Sequence, residues 1–299
     1  MIDPEQSFAR AHEFLNSLAE SPPLVPYEPE LLPLLFDATR DNSTATLRDV
    51  AKLVERSQNL ATRLLNIANS AYYVLEFKVT SLERAISVLG LREIRSLVLM
   101  VGMVAAIKGV RLPVKFDAHA LWRHHIRTAS LAKAMTDALR SEAAPPGGGV
   151  TLLPDEAYVA GLLHDLGKVF LASAKPGIWE EIEALRAQRE CTFAEAESAY
   201  WGIDHGIVAA RVLHVWRLPL LLTDAISWHH APDLAPEGGQ EAGLLAAANA
   251  LAHTGYSPGD VPAAEILALL PPGVNGQILA EALGKRMAED KENALLSML

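Results

Sequence analysis

Apolar residues return at three- and four-residue intervals along most of this chain. After Thr46, the residues Leu47, Val50, Ala51 and Val54 fall on one helical face, and Leu60, Leu64, Ile67 and Ala71 repeat the pattern between Asn59 and Ala71. Thr80 with Glu83 reads as a capping box ahead of Leu82, Ala85, Ile86 and Leu89, and Gly90 ends that helix. Thr192 with Glu195 reads as a second capping box, ahead of Ala196, Ala199 and Tyr200. Alternating strands with hairpin turns are missing, and at most "FKVT" is a short extended piece. The expected class is all-α.

Two Pro/Gly- or charge-marked breaks, at 109–117 and 231–241, and a Pro/Gly loop at 142–150 punctuate the 299 residues. They give an expected N-terminal helical part over 1–114, a helical bundle over 115–255 on which it packs, and a helical extension over 256–299. The extension reads either as more helix on the bundle or, in "EALGKRMAEDKENALLSML", as a dimerising helix, so a homo-oligomer stays open. The longest apolar run, Ser96 to Ile107, is short of the roughly 20 residues a membrane span needs, and reads as a buried core helix. The N-terminus carries early acidic residues and no apolar run, so a cytoplasmic protein away from membranes is expected. Cys191 is the single cysteine, which excludes an intramolecular disulfide and a Cys-rich zinc motif. The net charge of −10 excludes a global basic footprint. Arg84, Arg92, Arg95 and Lys108 could mark a local basic patch, but such a run is usually a solvated helix face, and nucleic acid is not an expected partner.

The chemistry-bearing residues cluster. His124-His125, His164-Asp165, His205 and His229-His230 each lie on, or at the end of, an expected helix. His164 and Asp165 sit in the middle of "YVAGLLHDLGK", otherwise an apolar helix, about 100° apart around its axis. Ala160 and Gly161, one turn earlier, leave room for a ligand or another helix. Each polar residue has a plainer reading. His229 and His230, before Ala231-Pro232, can complement a helix C-terminus; Asp165 and Lys168 can form a surface ion pair; His214 and His253 read as ordinary. Together, His and carboxylate donors on several helices are the set a divalent metal site needs, and imidazoles suit iron, zinc, manganese or nickel.

"WRHHIRTASLA", "GLLHDLGK", "GIDHGIVAARVLHVWRLP" and "AISWHHAP", in that order, resemble the HD superfamily of metal-dependent phosphohydrolases. "LATRLLNIANSAYY" followed by "VTSLERAISVLGLREIRSLVL" is similar to the N-terminal signature of one branch, the HD-related output (HDOD) family, while "HHAPDLAPEGG" lacks the Gly-Tyr-Pro element of the HD-GYP branch. The resemblance implies bacterial signalling modules without established catalysis, many of which have lost the His-Asp pair that this chain keeps. It makes His124, His164, Asp165, His205, His229 and His230 the metal-ligand candidates, and puts His125 where a small residue is usual. Asp165, as a bridging ligand, and Lys168, as a phosphate contact, would serve a hydrolytic centre. The family pattern ends in a metal-ligand aspartate, and the best match here is Asn249, a weaker, neutral donor. The resemblance therefore implies a regulatory module acting on a signalling protein, with a divalent metal as the candidate cofactor. A metal-dependent phosphohydrolase acting on a nucleotide or cyclic dinucleotide is the alternative.

Overall fold

The computed structural model describes residues 4–20, 31–39, 43–69, 78–91, 94–95, 97–98, 110–141, 149–236 and 239–288. Every regular element among them is helical, so the class is all-α. None of these helices is long and apolar enough to cross a membrane. The chain divides into two compact units. One is Leu24–Val110 with Trp216–Leu218 and Leu299; the other is Met1–Pro23, Arg111–Val215 and Pro219–Met298.

The smaller unit contains α2 (Leu31–Ala38), α3 (Leu47–Glu55), α4 (Gln58–Ala68) and α5 (Leu82–Leu89). Thr46 starts α3: its hydroxyl accepts the Asp49 N–H and the Asp49 carboxylate accepts the Thr46 N–H. Val50, Ala51 and Val54 are buried as the period requires, but Leu47, in the first turn, is 38% exposed. Leu60, Leu64 and Ile67 of α4 are buried, while Ala71 lies outside the described residues. The cap of α5 is Ser81, whose hydroxyl accepts the Arg84 N–H. The helix begins one residue later than Thr80 implies, so Glu83 misses the third position and the expected box does not form. Gly90, at φ 89°, closes α5 in a conformation that side-chain-bearing residues resist. Asn69 ties α4 to the segment before α5: its amide donates to Leu65 O and Val79 O, and its oxygen accepts the Val79 N–H.

Arg95 is buried in this unit. It donates to Thr39 Oγ1 and Thr39 O and lies over the Phe36 ring. It is therefore no part of a surface basic patch, and Arg92 and Lys108 fall outside the described residues. Of the apolar run Ser96–Ile107, Leu97 and Val98 are described and both are buried.

The larger unit is organised on α6 (Ala118–Ser141), whose buried stripe runs from Trp122 to Leu139. Against it pack α7 (Pro154–Leu163), α13 (Gly239–His253) and α15 (Gly276–Ala288). Leu131, Met135, Leu139, Leu244, Leu251, Leu279 and Leu283 share one apolar core. Arg286 of α15 bonds Asp137 and Ser141 of α6, so the tail as far as Ala288 is helix on the bundle; the rest of the candidate dimerising segment lies outside the described residues. The remaining helices are α8 (Leu166–Ala174), α9 (Pro176–Arg189), α10 (Phe193–Trp201), α11 (His205–Val215), α12 (Leu220–Trp228) and the short α14 (Ala264–Leu267), with a 3-10 turn at Pro232–Leu234. Thr192 and Glu195 form the expected capping box at the start of α10. N-terminal α1 (Pro4–Glu20) belongs to this unit and stacks Phe14 on Trp201 of α10.

Two glycines fix the helix approaches that matter for the site. A Cβ on Gly161 of α7 would lie 2.5 Å from the Cα of Ala129 on α6. A Cβ on Gly167 of α8 would lie 2.0 Å from the carbonyl oxygen of His205, the first residue of α11. Neither distance is physical, so only glycine lets these backbones meet so closely.

Candidate metal centre

The His-Asp pair does not sit within one continuous helix, as the apolar pattern had implied. α7 ends at Leu163 and α8 begins at Leu166. The turn between them is closed by the Lys168 N–H on Asp165 O, and Asp165 leaves the helical region at φ −97°, ψ 5°. His164 donates its ring Nδ1–H to Gly161 O at 2.8 Å, satisfying a last-turn carbonyl and aiming Nε2 away from the backbone. The break is what points both side chains of the pair at one place.

Asp165 is that place. His205 Nε2 lies 2.8 Å from Oδ1, His164 Nε2 3.3 Å and His229 Nε2 4.0 Å. His124 Nε2 is 3.7 Å from Oδ2 and 3.2 Å from His164 Nε2, and His230 Nε2 is 2.8 Å from His205 Nε2. All six expected ligand residues therefore converge, in two groups that share one carboxylate. Asp165 with His205, His229 and His230 forms one, and Asp165 with His124 and His164 the other; within each group the donor atoms lie within 4.8 Å of one another. The six come from α6, the α7–α8 turn, the start of α11 and the end of α12, where Pro232 follows.

A second layer fixes the rings. His229 donates Nδ1–H to Ile226 O at 2.6 Å. His205 donates both its backbone N–H and its ring Nδ1–H to Glu197 Oε2 on α10, at 2.9 and 2.6 Å. A backbone carbonyl or carboxylate behind each ring is the arrangement that presents Nε2 to a metal. Two buried atoms fit the same reading: His229 Nε2 has no hydrogen-bond partner among the described residues, and Asp165 Oδ1 has three imidazole Nε2 atoms within 4.0 Å. Buried polar atoms left unpaired cost on the order of 1–3 kcal/mol each, and a cation among them would remove that cost. The residues present fit a divalent ion.

Charge follows from burial. Burial pushes His124 and His229 down to about 4 and takes His164 and His230 well below the ordinary imidazole value, so these rings are neutral donors at pH 7. His205 differs. Burial and Lys168 lower it, but the carboxylates of Glu197 and Asp165 outweigh them and hold it up at about 9. Burial alone would raise Asp165; His164, Lys168 and His205 together keep its carboxyl well below the carboxylate range.

Lys168, itself half-buried, donates to the buried Asp165 Oδ2 at 2.6 Å. Asn249, on α13, stands within hydrogen-bonding reach of His124, its Oδ1 buried. One turn further on, His253 stacks on His124, ring centroids 4.2 Å apart and 28° from parallel, so it is not the ordinary histidine its sequence context implied. His125 is fully buried behind His164, and neither ring nitrogen has a hydrogen-bond partner among the described residues. Sequence reasoning missed Glu197. A signal was there: Glu197 shares the buried face of α10 with Ala194, Tyr200 and Trp201, a position where a lone carboxylate is unusual. The centre opens into a groove of about 1750 Å³, whose lining includes Arg123, Arg127 and Lys168.

Comparison with known proteins bears on the family and the fold. A Treponema pallidum (strain Nichols) protein without a characterised activity is 26% identical over 211 residues, 70% of this chain; the chain spans only 39% of that relative's length. Two solved structures share the fold. An HDOD domain protein of unknown function from Geobacter sulfurreducens has a TM-score of 0.73 at 22% identity, over 99% of each chain. A Shewanella amazonensis protein named as a candidate phosphohydrolase has a TM-score of 0.70 at 21% identity, over 95% of this chain and 97% of its own. The HDOD domain profile matches residues 25–232, more than half of the sequence, and the chain belongs to the HDOD domain family.

Proposed function

We propose that this chain is a regulatory module that holds a divalent metal ion in its histidine–aspartate centre and acts by contact with a signalling protein rather than by hydrolysis. One observation carries the reading: the centre has almost no carboxylate to spare. Asp165 serves both donor groups, its Oδ2 is taken by Lys168, and the amide of Asn249 stands where the family pattern puts an aspartate. A divalent ion bound there would supply Lewis acidity. The chain's own residues hold the ligands: Glu197, Ile226 O and Gly161 O orient His205, His229 and His164, and imidazole donors suit iron, manganese, zinc or nickel. With so little negative charge around it, such an ion serves to brace four helix ends against one another.

The groove favours a second reading, a metal-dependent phosphohydrolase. Arg123, Arg127 and Lys168 line the open side of the centre, where a phosphoryl oxygen would meet them. The named chemistry of the Shewanella amazonensis protein supports this reading by analogy of fold alone. Protein expressed with iron, manganese or zinc supplied, assayed against p-nitrophenyl phosphate, bis(p-nitrophenyl) phosphate and a cyclic dinucleotide, separates the two. Bound metal without turnover supports the regulatory module. Turnover that disappears in the His164→Ala/Asp165→Ala double variant supports the phosphohydrolase.

A further inference from the structure

Resting on the metal reading above, we infer that the centre is built for a single ion, held by Asp165 Oδ1, His205, His229 and His230, and that Lys168 takes the place of a second cation beside His124 and His164. The two halves share Asp165, but its two oxygens face different surroundings. Oδ1 faces imidazoles: His205 Nε2 at 2.8 Å, His164 Nε2 at 3.3 Å and His229 Nε2 at 4.0 Å. Oδ2 is bonded to the Lys168 ammonium at 2.6 Å. An ion on Oδ2 would have to displace that ammonium or sit against it, a like-charge contact in a buried site.

Donor number points the same way. The His205 half offers three imidazoles and a carboxylate oxygen, the four donors that a tetrahedral site uses. The His124 half offers two imidazoles and an oxygen already engaged, with only the neutral amide of Asn249 beside it. Support behind the rings differs by one ring. His205 has Glu197 and His229 has Ile226 O behind them, both at 2.6 Å, while in the other half His164 alone is so held, by Gly161 O at 2.8 Å. His124, by contrast, has its ring face covered by His253 and Thr128 Oγ1 at 3.5 Å from the very Nε2 that would bind.

The test uses the full chain, stripped with a chelator and titrated with cobalt(II) alone. Bound ions are counted by elemental analysis after gel filtration, and the visible cobalt(II) bands report coordination geometry. The wild-type chain should take one ion per chain with the intense bands of a four-coordinate site. His124→Ala should keep that ion with an affinity within about threefold, whereas His230→Ala should weaken it at least ~10-fold, the loss that removing even an outer ligand support brings. Lys168→Met should admit a second ion. If His230→Ala does not keep the helical circular dichroism of the wild type, His230→Gln carries the same expectation. Two ions of equal affinity in the wild type, or loss of the ion in His124→Ala with retention in His230→Ala, would overturn the inference while leaving a metal centre in place. A wild-type chain that binds no cobalt would overturn the metal reading itself.

Discussion

Glu197 grips His205 twice, accepting its backbone N–H at 2.9 Å and its ring Nδ1–H at 2.6 Å through one carboxylate oxygen. The contact joins α10 to the first residue of α11 and fixes the direction of the imidazole whose Nε2 approaches Asp165. Glu197→Gln keeps an acceptor oxygen but removes the charge behind the ring. Metal affinity should fall about 10–100-fold with little change in helix content, measured by competition with a chelator. Glu197→Ala should lose that affinity and also about 1–3 kcal/mol of stability, because two buried N–H groups lose their partner.

Gly167→Ala tests the close approach of α8 to α11. The added methyl would overlap His205 O, so the helices must part and carry His205 away from Asp165. Thermal unfolding should show a loss of about 1–3 kcal/mol, and metal content should fall with it. Gly177→Ala, where a Cβ meets nothing within 4 Å, should change neither.

Asn249→Asp restores the carboxylate of the family pattern beside His124. Affinity for a second ion should rise by roughly tenfold, about 1.4 kcal/mol, in cobalt(II) titration. Without metal the same variant should be less stable than the wild type, since it puts an added charge where the asparagine is largely buried.

Arg95→Ala probes the smaller unit. It removes the donors to Thr39 Oγ1 and Thr39 O and the packing on Phe36. Chemical denaturation should report a loss of about 1–3 kcal/mol. Metal content should stay at the wild-type level, since none of the centre's ligands is among the partners of Arg95 in these contacts.

Helical period and punctuation made much of this fold readable. Thr46, Gly90 and the Thr192–Glu195 box act as local rules require, because a cap depends on three or four neighbouring residues. The order of the histidines, with the resemblance it carries, was enough to name Asp165 and the five histidines that gather around it. Contacts between distant segments were harder to foresee. His253 reads as unremarkable until α13 lies against α6, and Glu197 gains meaning only when α10 meets α11. The break at His164–Asp165 was hidden because its flanks are apolar and helical on both sides; a side-chain bond to Gly161 O and a turn at Lys168, not a proline, interrupt the helix. Ser81 in place of Thr80 is a slip of one residue between two good capping side chains, which local preference ranks nearly alike.

Elemental analysis of full-length protein purified after expression with iron, manganese and zinc supplied, set beside the His164→Ala/Asp165→Ala double variant, tests the metal centre most directly. The account predicts stoichiometric transition metal in the wild type and none in the double variant, with both retaining helical circular dichroism. Metal-free wild-type protein, or equal metal in the two, would contradict it.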